Sequence, residues 1–303
     1  MREKRCGSTW DDITNPISRI LTNPPRPQNH DSHSFLLMSL PLVEDTRNRL
    51  STDRLGEPMR GVEELGSTNE AAAAWAEDGA PDGAVVLTEY QTTGRGRHGR
   101  TWAADKGQNL LFSVVLRPEL TPDRLSLITV AASVAIAETI EQFASPFRAG
   151  IEWPNDVLLD GRKTCGILLE SSLAPPDGDT VVVLGVGLNV NQTDFPDALA
   201  DTATSLRLMT GRPMPRAELL AHLLSAIERR YDAVQSPRPS GDAVRAAFED
   251  RLASLHEQTT LRVPDTDQTL SGTVAGITDT GALRLRTARG TTTVHAGNVT
   301  TRR

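Results

Sequence analysis

Residues 125–143 are the segment that most restricts how this chain can fold. Apolar side chains recur there at the spacing of one helix face, which predicts a helix in the core; they are Leu127, Val130, Ala131, Val134, Ala137 and Ile140. Strand-like segments lie on either side of it, at 84–89, 110–116, 157–159, 164–170 and 181–188, and further helix patterns lie at 68–78, 215–233 and 242–255. Because strands and helices mix without regular alternation, we predict an α+β fold with a mixed or antiparallel sheet, not a doubly wound parallel sheet.

Composition and turn signals divide the chain into three regions. Residues 1–58 contain six prolines and no sustained apolar periodicity, which predicts a disordered or weakly structured extension with at most a short helix within 42–55. Residues 257–303 contain short threonine- and valine-rich strands at 259–263, 270–277, 282–287 and 291–294, separated by glycine-containing turns. This pattern predicts a small β-barrel. Residues 59–256 are predicted to form the domain that carries the functional site.

The charge balance argues against a nucleic-acid-binding protein, which usually carries a basic domain. The formal net charge is −7 and the isoelectric point is about 5.5. Cys6 and Cys165 are too few and too far apart to indicate a disulfide framework or a zinc site, which favours a reducing, cytoplasmic location. No apolar run reaches the roughly 18 residues of a membrane helix, so no membrane association is predicted.

Residues 94–100 read Gly-Arg-Gly-Arg-His-Gly-Arg and follow a strand-like run. Glycines allow the backbone to turn tightly and to approach a ligand closely. Arginines offer forked donors that suit phosphate and carboxylate. In an acidic protein, such a loop suits a small anionic ligand. Taken alone, it is equally compatible with a solvated basic loop or a nucleic-acid-binding segment.

Two other segments decide between these interpretations. Residues 66–70 read Gly-Ser-Thr-Asn-Glu, and residues 152–156 read Glu-Trp-Pro-Asn-Asp, followed by Lys163 and a strand to Glu170. In this order, the three motifs resemble those of the biotin protein ligases, over the region from about residue 62 to the C-terminus. The resemblance implies a catalytic domain of the biotin/lipoate ligase type at 59–256 and an SH3-like C-terminal module at 257–303. Because residues 1–58 show no helix-turn-helix pattern, the ligase-only type without a DNA-binding domain is predicted.

The resemblance also implies a reaction. Members of this family make biotinyl-5′-AMP from biotin and ATP with Mg²⁺, and then transfer biotin to a lysine of a biotin carboxyl carrier domain. No tightly bound prosthetic group is expected, because positioning and charge stabilisation suffice for this chemistry. The expected partner is the carrier domain of a biotin-dependent carboxylase, with no DNA and no membrane, and the chain is expected to be a monomer or a weak homodimer.

The family's motifs assign biotin-binding residues in this sequence. The assigned set is Ser67, Thr68, Asn69, Gln91, Arg95, Gly96, Arg97, Lys163, Gly185 and Gly187. The first four are expected at the ureido ring and Arg95 at the carboxylate, while loop 94–100 is expected to order over the ligand. Lys163 and Arg95 are the predicted catalytic pair, since an ammonium can follow charge from carboxylate to phosphate. Alternatively, Ser67 caps a helix together with Glu70, and Lys163 is a surface lysine.

The nucleotide is assigned a second group of residues: Arg97, Arg100, Trp102, Asn155, Asp156 and Asn189. Asp156 is the candidate Mg²⁺ ligand, because carboxylates suit this ion, and residues 192–205 are expected to form the adenylate-binding loop. Arg100 could instead be a structural ion-pair partner, and Trp102 a core aromatic. Glu152 stands where many members have lysine.

Three rival functions stay open at this point. A lipoate ligase shares the adenylation logic, although the glycine–arginine loop and the C-terminal strands favour biotin. A nucleic-acid-binding regulator would use the arginine loop, but the acidic composition argues against it. An inactive binding module is disfavoured by the presence of both Lys163 and Arg95.

Overall fold

The structure is a computed structural model, and it describes residues 40–172, 180–236, 240–262, 269–295 and 298–300. The described residues belong to one compact unit. The part of the predicted disordered extension that falls on residues 1–39 lies outside the described residues.

A seven-stranded mixed sheet forms the centre of the catalytic region, as predicted. Its order is β1-β2-β3-β7-β6-β5-β4, with β1 and β2 parallel and every other neighbouring pair antiparallel. The strands are β1 (Met59–Leu65), β2 (Val85–Gln91), β3 (Leu110–Leu116), β4 (Ala149–Glu152), β5 (Asp156–Leu159), β6 (Arg162–Ser172) and β7 (Val181–Leu188). Asp160 and Gly161 form the tight turn between β5 and β6, and both have positive φ, 53° and 71°, as this hairpin turn requires.

Helices cover both faces of the sheet. On one face, α3 (Ser126–Phe143), α5 (Arg216–Gln235) and α6 (Ser240–Glu249) enclose the main core. On the other face, the alanine-rich helix α2 (Thr68–Glu77) packs through small side chains against alternate strand residues such as Val86, Val115 and Val183. The close approach of α2 brings its first turn against the middle of the sheet, where the candidate site lies.

The helical stretch Pro122–Phe143, which ends with α3, is by length and composition apolar enough to cross a membrane, and 72% of its most apolar part is buried inside the protein. Its apolar character is therefore explained by its place between the sheet and α5, because a helix that is apolar all round suits a buried position.

Residues 40–58 do not form the weakly structured segment that their prolines predicted. They include α1 (Pro41–Arg47), and Leu42, Val43 and Leu55 are buried in the main core. The segment is anchored by Glu228 of α5, which is 7% exposed. Its carboxylate accepts hydrogen bonds of 2.8–3.1 Å from the backbone N–H groups of residues 53, 54 and 55. Apolar burial and this anchor order the segment without regular periodicity.

Glu228→Ala is expected to lower the free energy of unfolding by about 3 kcal/mol, because three backbone donors lose a charged acceptor. Urea denaturation of the variant measures the effect. Glu218→Ala, at an exposed position of the same helix, is the matched control and should change stability little. A loss below about 0.5 kcal/mol for Glu228→Ala would contradict the anchoring role.

The C-terminal region forms a five-stranded antiparallel sheet of order β11-β10-β9-β8-β12. Its strands are β8 (Gln258–Arg262), β9 (Thr269–Ile277), β10 (Leu283–Thr287), β11 (Gly290–Val294) and β12 (Asn298–Thr300), and four of these were predicted. A buried hydrogen bond of 3.1 Å from Trp153 Nε1 to the carbonyl of Gly281 ties this sheet to the catalytic region.

Helix α6 ends at Glu249, although its sequence pattern extended to residue 255. Beyond it, the backbone pairs with β4 at the edge of the large sheet: Ile151 N–H donates to Arg251 O at 2.7 Å, and Ala253 N–H donates to Ile151 O at 2.9 Å. The backbone groups of Arg251 and Ala253 thus bond to β4, whereas in a longer helix they would have bonded within the helix. Strands β1 and β4 and the short helix α4 (Leu206–Thr210) were not predicted.

Candidate functional site

A cavity of about 1450 Å³ opens where α2, the end of β2, loop 94–102, the β5–β6 hairpin and β7 meet. Every residue that the sequence assigned to the site lines it. They are Ser67, Thr68, Asn69, Gln91, Arg95, Gly96, Arg97, Arg100, Trp102, Asn155, Asp156, Lys163, Gly185, Gly187 and Asn189. The tertiary structure therefore brings together residues from across more than 120 positions of the chain, and Arg95 and Lys163 share one cleft.

At one end of the cavity, polar side chains form a buried network around the first turn of α2. Ser113 of β3, fully buried, donates to Asn69 Oδ1 at 2.6 Å and lies 2.8 Å from Thr68 Oγ1. Thr68 Oγ1 in turn donates to Gln91 Oε1 at 3.1 Å. Amide and hydroxyl groups of this kind suit a neutral ligand with both donors and acceptors.

Gln91, not Ser67, caps helix α2. The backbone N–H of Thr68 donates to Gln91 Oε1 at 2.8 Å, whereas the Ser67 side chain makes no capping hydrogen bond, although Ser67 has the extended backbone of an N-cap residue. Glu70, the other half of the predicted capping box, lies 3.4 Å from Arg95. The capping-box interpretation is therefore wrong, because Gln91 takes the place of the Ser67 side chain and Glu70 pairs with Arg95 instead.

Loop 94–100 is folded across the cavity by its own backbone. Gly96 N–H donates to Arg100 O at 2.7 Å, and Trp102 N–H donates to Gly94 O at 2.9 Å. A Cβ on Gly94 would lie 2.6 Å from the Trp102 carbonyl oxygen, so the turn needs glycine there. No carboxylate of the described residues pairs with Arg100, which is exposed at the cavity and does not act as the structural ion-pair partner considered above.

Trp102 forms a wall of the cavity, against two glycines of the sheet. A Cβ on Gly166 or Gly187 would lie 2.7 or 2.5 Å from the indole ring. A Cβ on Gly185 would overlap Asn69 Oδ1. The glycines of β6 and β7 thus make room for Trp102 and Asn69, and this is a use that the sequence did not indicate.

Lys163 lines the cavity and lies close to Asp156 and Trp102. Its Nζ lies 2.7 Å from Asp156 Oδ2 and 5.5 Å from the centroid of the Trp102 ring. Its backbone is held by the loop that follows β7, because Lys163 N–H donates to Thr202 O at 2.7 Å and Thr204 N–H donates to Lys163 O at 2.9 Å. Lys163 is thus a fixed cavity residue, not a surface lysine of the hairpin.

Arg97, Asn155 and Asp156 form the polar group next to Lys163. Arg97 Nη1 donates to Asn155 Oδ1 at 3.1 Å, and Asn155 Nδ2 donates to Ile167 O at 2.8 Å. Burial lowers the pKa of the Arg97 guanidinium from its ordinary value, an effect that Asp156 opposes. The second oxygen of Asp156, Oδ1, is buried without a hydrogen-bond partner among the described residues.

Asn189, at the end of β7, lies further along the same wall. It is 3% exposed, and its Nδ2 donates to Thr204 O at 3.1 Å. Its Oδ1 and the Thr204 hydroxyl are buried with no hydrogen-bond partner in the described part of the chain. Asn189 itself lines the cavity.

Sequence reasoning missed Ser113 and Glu170. Glu170 contacts both Asn69 and Arg95, and it closes the motif that begins at Lys163. Ser113 interrupts an apolar strand, which was its only local signal. Among the described residues, no group of three or more His, Cys, Asp or Glu side chains could hold a metal ion by itself.

Comparison with known proteins identifies relatives of this chain. The sequence model of the biotin/lipoate A/B protein ligase family matches residues 63–191, and that of the biotin protein ligase C terminal domain matches residues 257–300. The chain is 35% identical over 242 residues to a biotin–[acetyl-CoA-carboxylase] ligase of Mycobacterium tuberculosis, covering 78% of this chain and 86% of that protein. It is 34% identical over 257 residues to the bifunctional ligase/repressor BirA of Bacillus subtilis, covering 84% and 77%.

A solved structure with the same fold is the biotin protein ligase of Aquifex aeolicus in complex with biotin and ATP. The TM-score is 0.69 at 25% identity, and the match covers 81% of this chain and 98% of that one.

Proposed function

Because the chain belongs to the biotin/lipoate A/B protein ligase family, we propose that its cavity binds biotin and ATP side by side. The protein is an ATP-dependent biotin protein ligase that forms biotinyl-5′-AMP and biotinylates a carrier protein. The match to a biotin-ligase C-terminal domain sets the lipoate alternative aside. The observation that supports the placement is the convergence of Arg95, Asn69 and Lys163 on one cavity.

The buried network of α2 suits the biotin head. The ureido ring has one carbonyl and two N–H groups, and Ser67, Thr68, Asn69 and Gln91 offer matching hydroxyl and amide groups at that end. Gly185 and Gly187 belong to this part of the site because they give Asn69 and Trp102 their positions. The biotin carboxylate would then extend toward Arg95, Gly96, Arg97 and Lys163.

The adenylate would lie at the other end of the cavity, near Arg100, Trp102, Asn155 and Asn189. In the first step, a biotin carboxylate oxygen attacks the α-phosphorus of ATP, the bond to the bridging oxygen breaks and pyrophosphate leaves. Lys163 and Arg95 hold the negative charge that passes from carboxylate to phosphate, because positioned cations stabilise charge that develops in the transition state.

Asp156 fits the role of a magnesium ligand. Its buried Oδ1 has no hydrogen-bond partner among the described residues, and a single carboxylate is typical for this ion, which keeps waters and phosphate oxygens as its other ligands. Bound with ATP, Mg²⁺ supplies positive charge beside the phosphates. Lys163, which contacts Asp156 Oδ2, lies beside this carboxylate and would hold the reacting oxygens.

In the second step, the amine of the acceptor lysine attacks the biotinyl carbonyl carbon. The bond to the phosphate oxygen breaks, AMP leaves and the amine loses a proton. Loop 94–100 excludes water from the reactive anhydride until the acceptor arrives. The ordering of this loop by ligand stays a prediction.

The acceptor is the biotin carrier domain of a carboxylase, in keeping with the activity for which the ligase relatives are named. We further propose a monomer or weak homodimer that acts in the cytoplasm without binding DNA. The burial of Cys165, whose thiol pKa is raised by desolvation, supports an unreactive thiol with no redox role.

Thermal unfolding with each substrate tests the placement of the two ligands in one cavity. Biotin alone and ATP with Mg²⁺ alone should each raise the melting temperature, and the two together should raise it by more than the sum, because the adenylate binds tightly to the folded state. Additive shifts would mean that the two sites are independent.

Arg97→Gly is expected to release activated biotin. Removing the side chain breaks its hydrogen bond to Asn155 and loosens loop 94–100, so that biotinyl-5′-AMP escapes before transfer. Labelling of a bystander protein by the variant should rise severalfold, while adenylate still forms. Unchanged bystander labelling would contradict the lid role of the loop.

A further inference from the structure

Glu170 lies between the biotin-head network and the arginine loop and contacts both. Its Oε2 accepts a hydrogen bond of 2.7 Å from Asn69 Nδ2. Both of its carboxylate oxygens lie 2.9 Å from Arg95 Nη2. Within the described part of the chain, no other carboxylate makes hydrogen bonds to both of these elements. One side chain of the sheet therefore joins the first turn of α2 to the loop.

The backbone of Glu170 is well held. It lies in β6, in register with Val183 of the neighbouring strand β7. Arg95, in contrast, belongs to a loop whose backbone makes few hydrogen bonds outside itself. Contact with a strand residue thus holds the Arg95 guanidinium in position, because side chains on rigid strands are placed more precisely than side chains on loops.

The carboxylate also sets the orientation of the Asn69 amide. With Nδ2 toward Glu170, Oδ1 points to the hydroxyl of Ser113, which donates to it at 2.6 Å. The flipped amide would place its oxygen against the Glu170 carboxylate, and because both groups are acceptors the hydrogen bond between them would be lost. Asn69 is 5% exposed, so that water cannot compensate for this loss.

We propose that Glu170 is a positioning residue for biotin binding, which orients Asn69 at the ureido ring and Arg95 at the carboxylate together. It need not touch the substrate. This inference rests on the proposed placement of biotin in the cavity.

The stability contribution of these contacts is expected to be small. The side chains of Arg95 and Glu170 are 44% and 42% exposed, and ion pairs at such positions stabilise a fold little because water screens them. A role in positioning would therefore appear in ligand affinity and not in the melting temperature.

Calorimetric titration of biotin into the full chain tests the proposal. Glu170→Ala removes both contacts and should raise the biotin dissociation constant by roughly tenfold. Glu170→Gln, the second variant, can keep an acceptor for Asn69 but loses the charge that attracts Arg95, and should show a smaller rise. Glu70→Gln is the matched control, because Glu70 also pairs with Arg95 but has no hydrogen bond to Asn69; it should bind biotin within about twofold of the parent protein.

A double variant distinguishes positioning from an independent effect. If Glu170 acts through Asn69, then Asn69→Ala with Glu170→Ala should weaken binding by less than the product of the single effects. Melting temperatures should stay within a few degrees for the Glu170 variants. Parent-like biotin affinity in both Glu170 variants, or full multiplicativity in the double variant, would overturn the proposal. Parent-like affinity in Asn69→Ala would instead overturn the placement of biotin itself, and this inference with it.

Discussion

Lys163→Ala is expected to reduce biotinyl-adenylate formation by about 10³-fold while the fold stays intact. Loss of one prearranged charge that stabilises a transition state has effects of this order. The fold should persist because the contacts of residue 163 to Thr202 and Thr204 are made by its backbone. The substitution also removes the ammonium that contacts Asp156. ATP affinity is expected to change far less than the rate of the chemical step, because the other residues assigned to the nucleotide stay in place.

Biotin-dependent ATP–pyrophosphate exchange measures this step directly, because it does not require the acceptor protein. Lys106→Ala is the matched control: this lysine is 55% exposed and pairs with Glu63 on the surface. The control should exchange at the parent rate. Exchange by Lys163→Ala within tenfold of the parent protein would remove Lys163 from the mechanism.

Gly185→Ala is expected to weaken biotin binding by about a hundredfold, as displacement of a substrate-positioning group can. The new methyl group would overlap Asn69 Oδ1 and lie 2.8 Å from its Cγ. Asn69 would have to leave its hydrogen bonds to Ser113 and Glu170. The free energy of unfolding should also fall by about 1–3 kcal/mol, since the site is closely packed.

Calorimetric titration of biotin and urea denaturation provide the two measurements. Gly150→Ala is a suitable control, because Gly150 also lies in a strand of the same sheet and its added Cβ would meet nothing closer than 3.8 Å. That variant should bind biotin normally. Normal binding by Gly185→Ala would mean that Asn69 is not needed where the structure places it.

The sequence predicted most elements to within a few residues, because apolar periodicity is a local property of the chain. The strands at 110–116 and 181–188 and the core helix after residue 125 have the expected bounds. The errors arose where a distant partner decided the outcome. Strand β4 has only four residues, which is too short for an alternating apolar pattern to be recognised. Helix α6 ends earlier than its pattern predicted because the residues that follow it pair with β4.

Motif residues were located from the sequence, but their contacts were not. Ser67 and Glu70 had the spacing of a capping box, yet Gln91 caps the helix and Glu70 pairs with Arg95. Glu170 ends the motif that begins at Lys163, but the sequence alone assigns it no role. A glutamate in a strand carries no local sign of what it will contact.

What the sequence determined by itself was most of the elements, the family and the motif residues that line the cavity, since these depend on residue types and their spacing along the chain. The tertiary structure alone decided the pairing among those residues. Thr68 meets Gln91 across 23 positions, and Arg95 and Asn69 meet Glu170 across 75 and 101. Such distances are set by the order of strands in the sheet, which pairs β3 with β7 and so places the consecutive strands β2 and β3 beside the later strands β7 and β6.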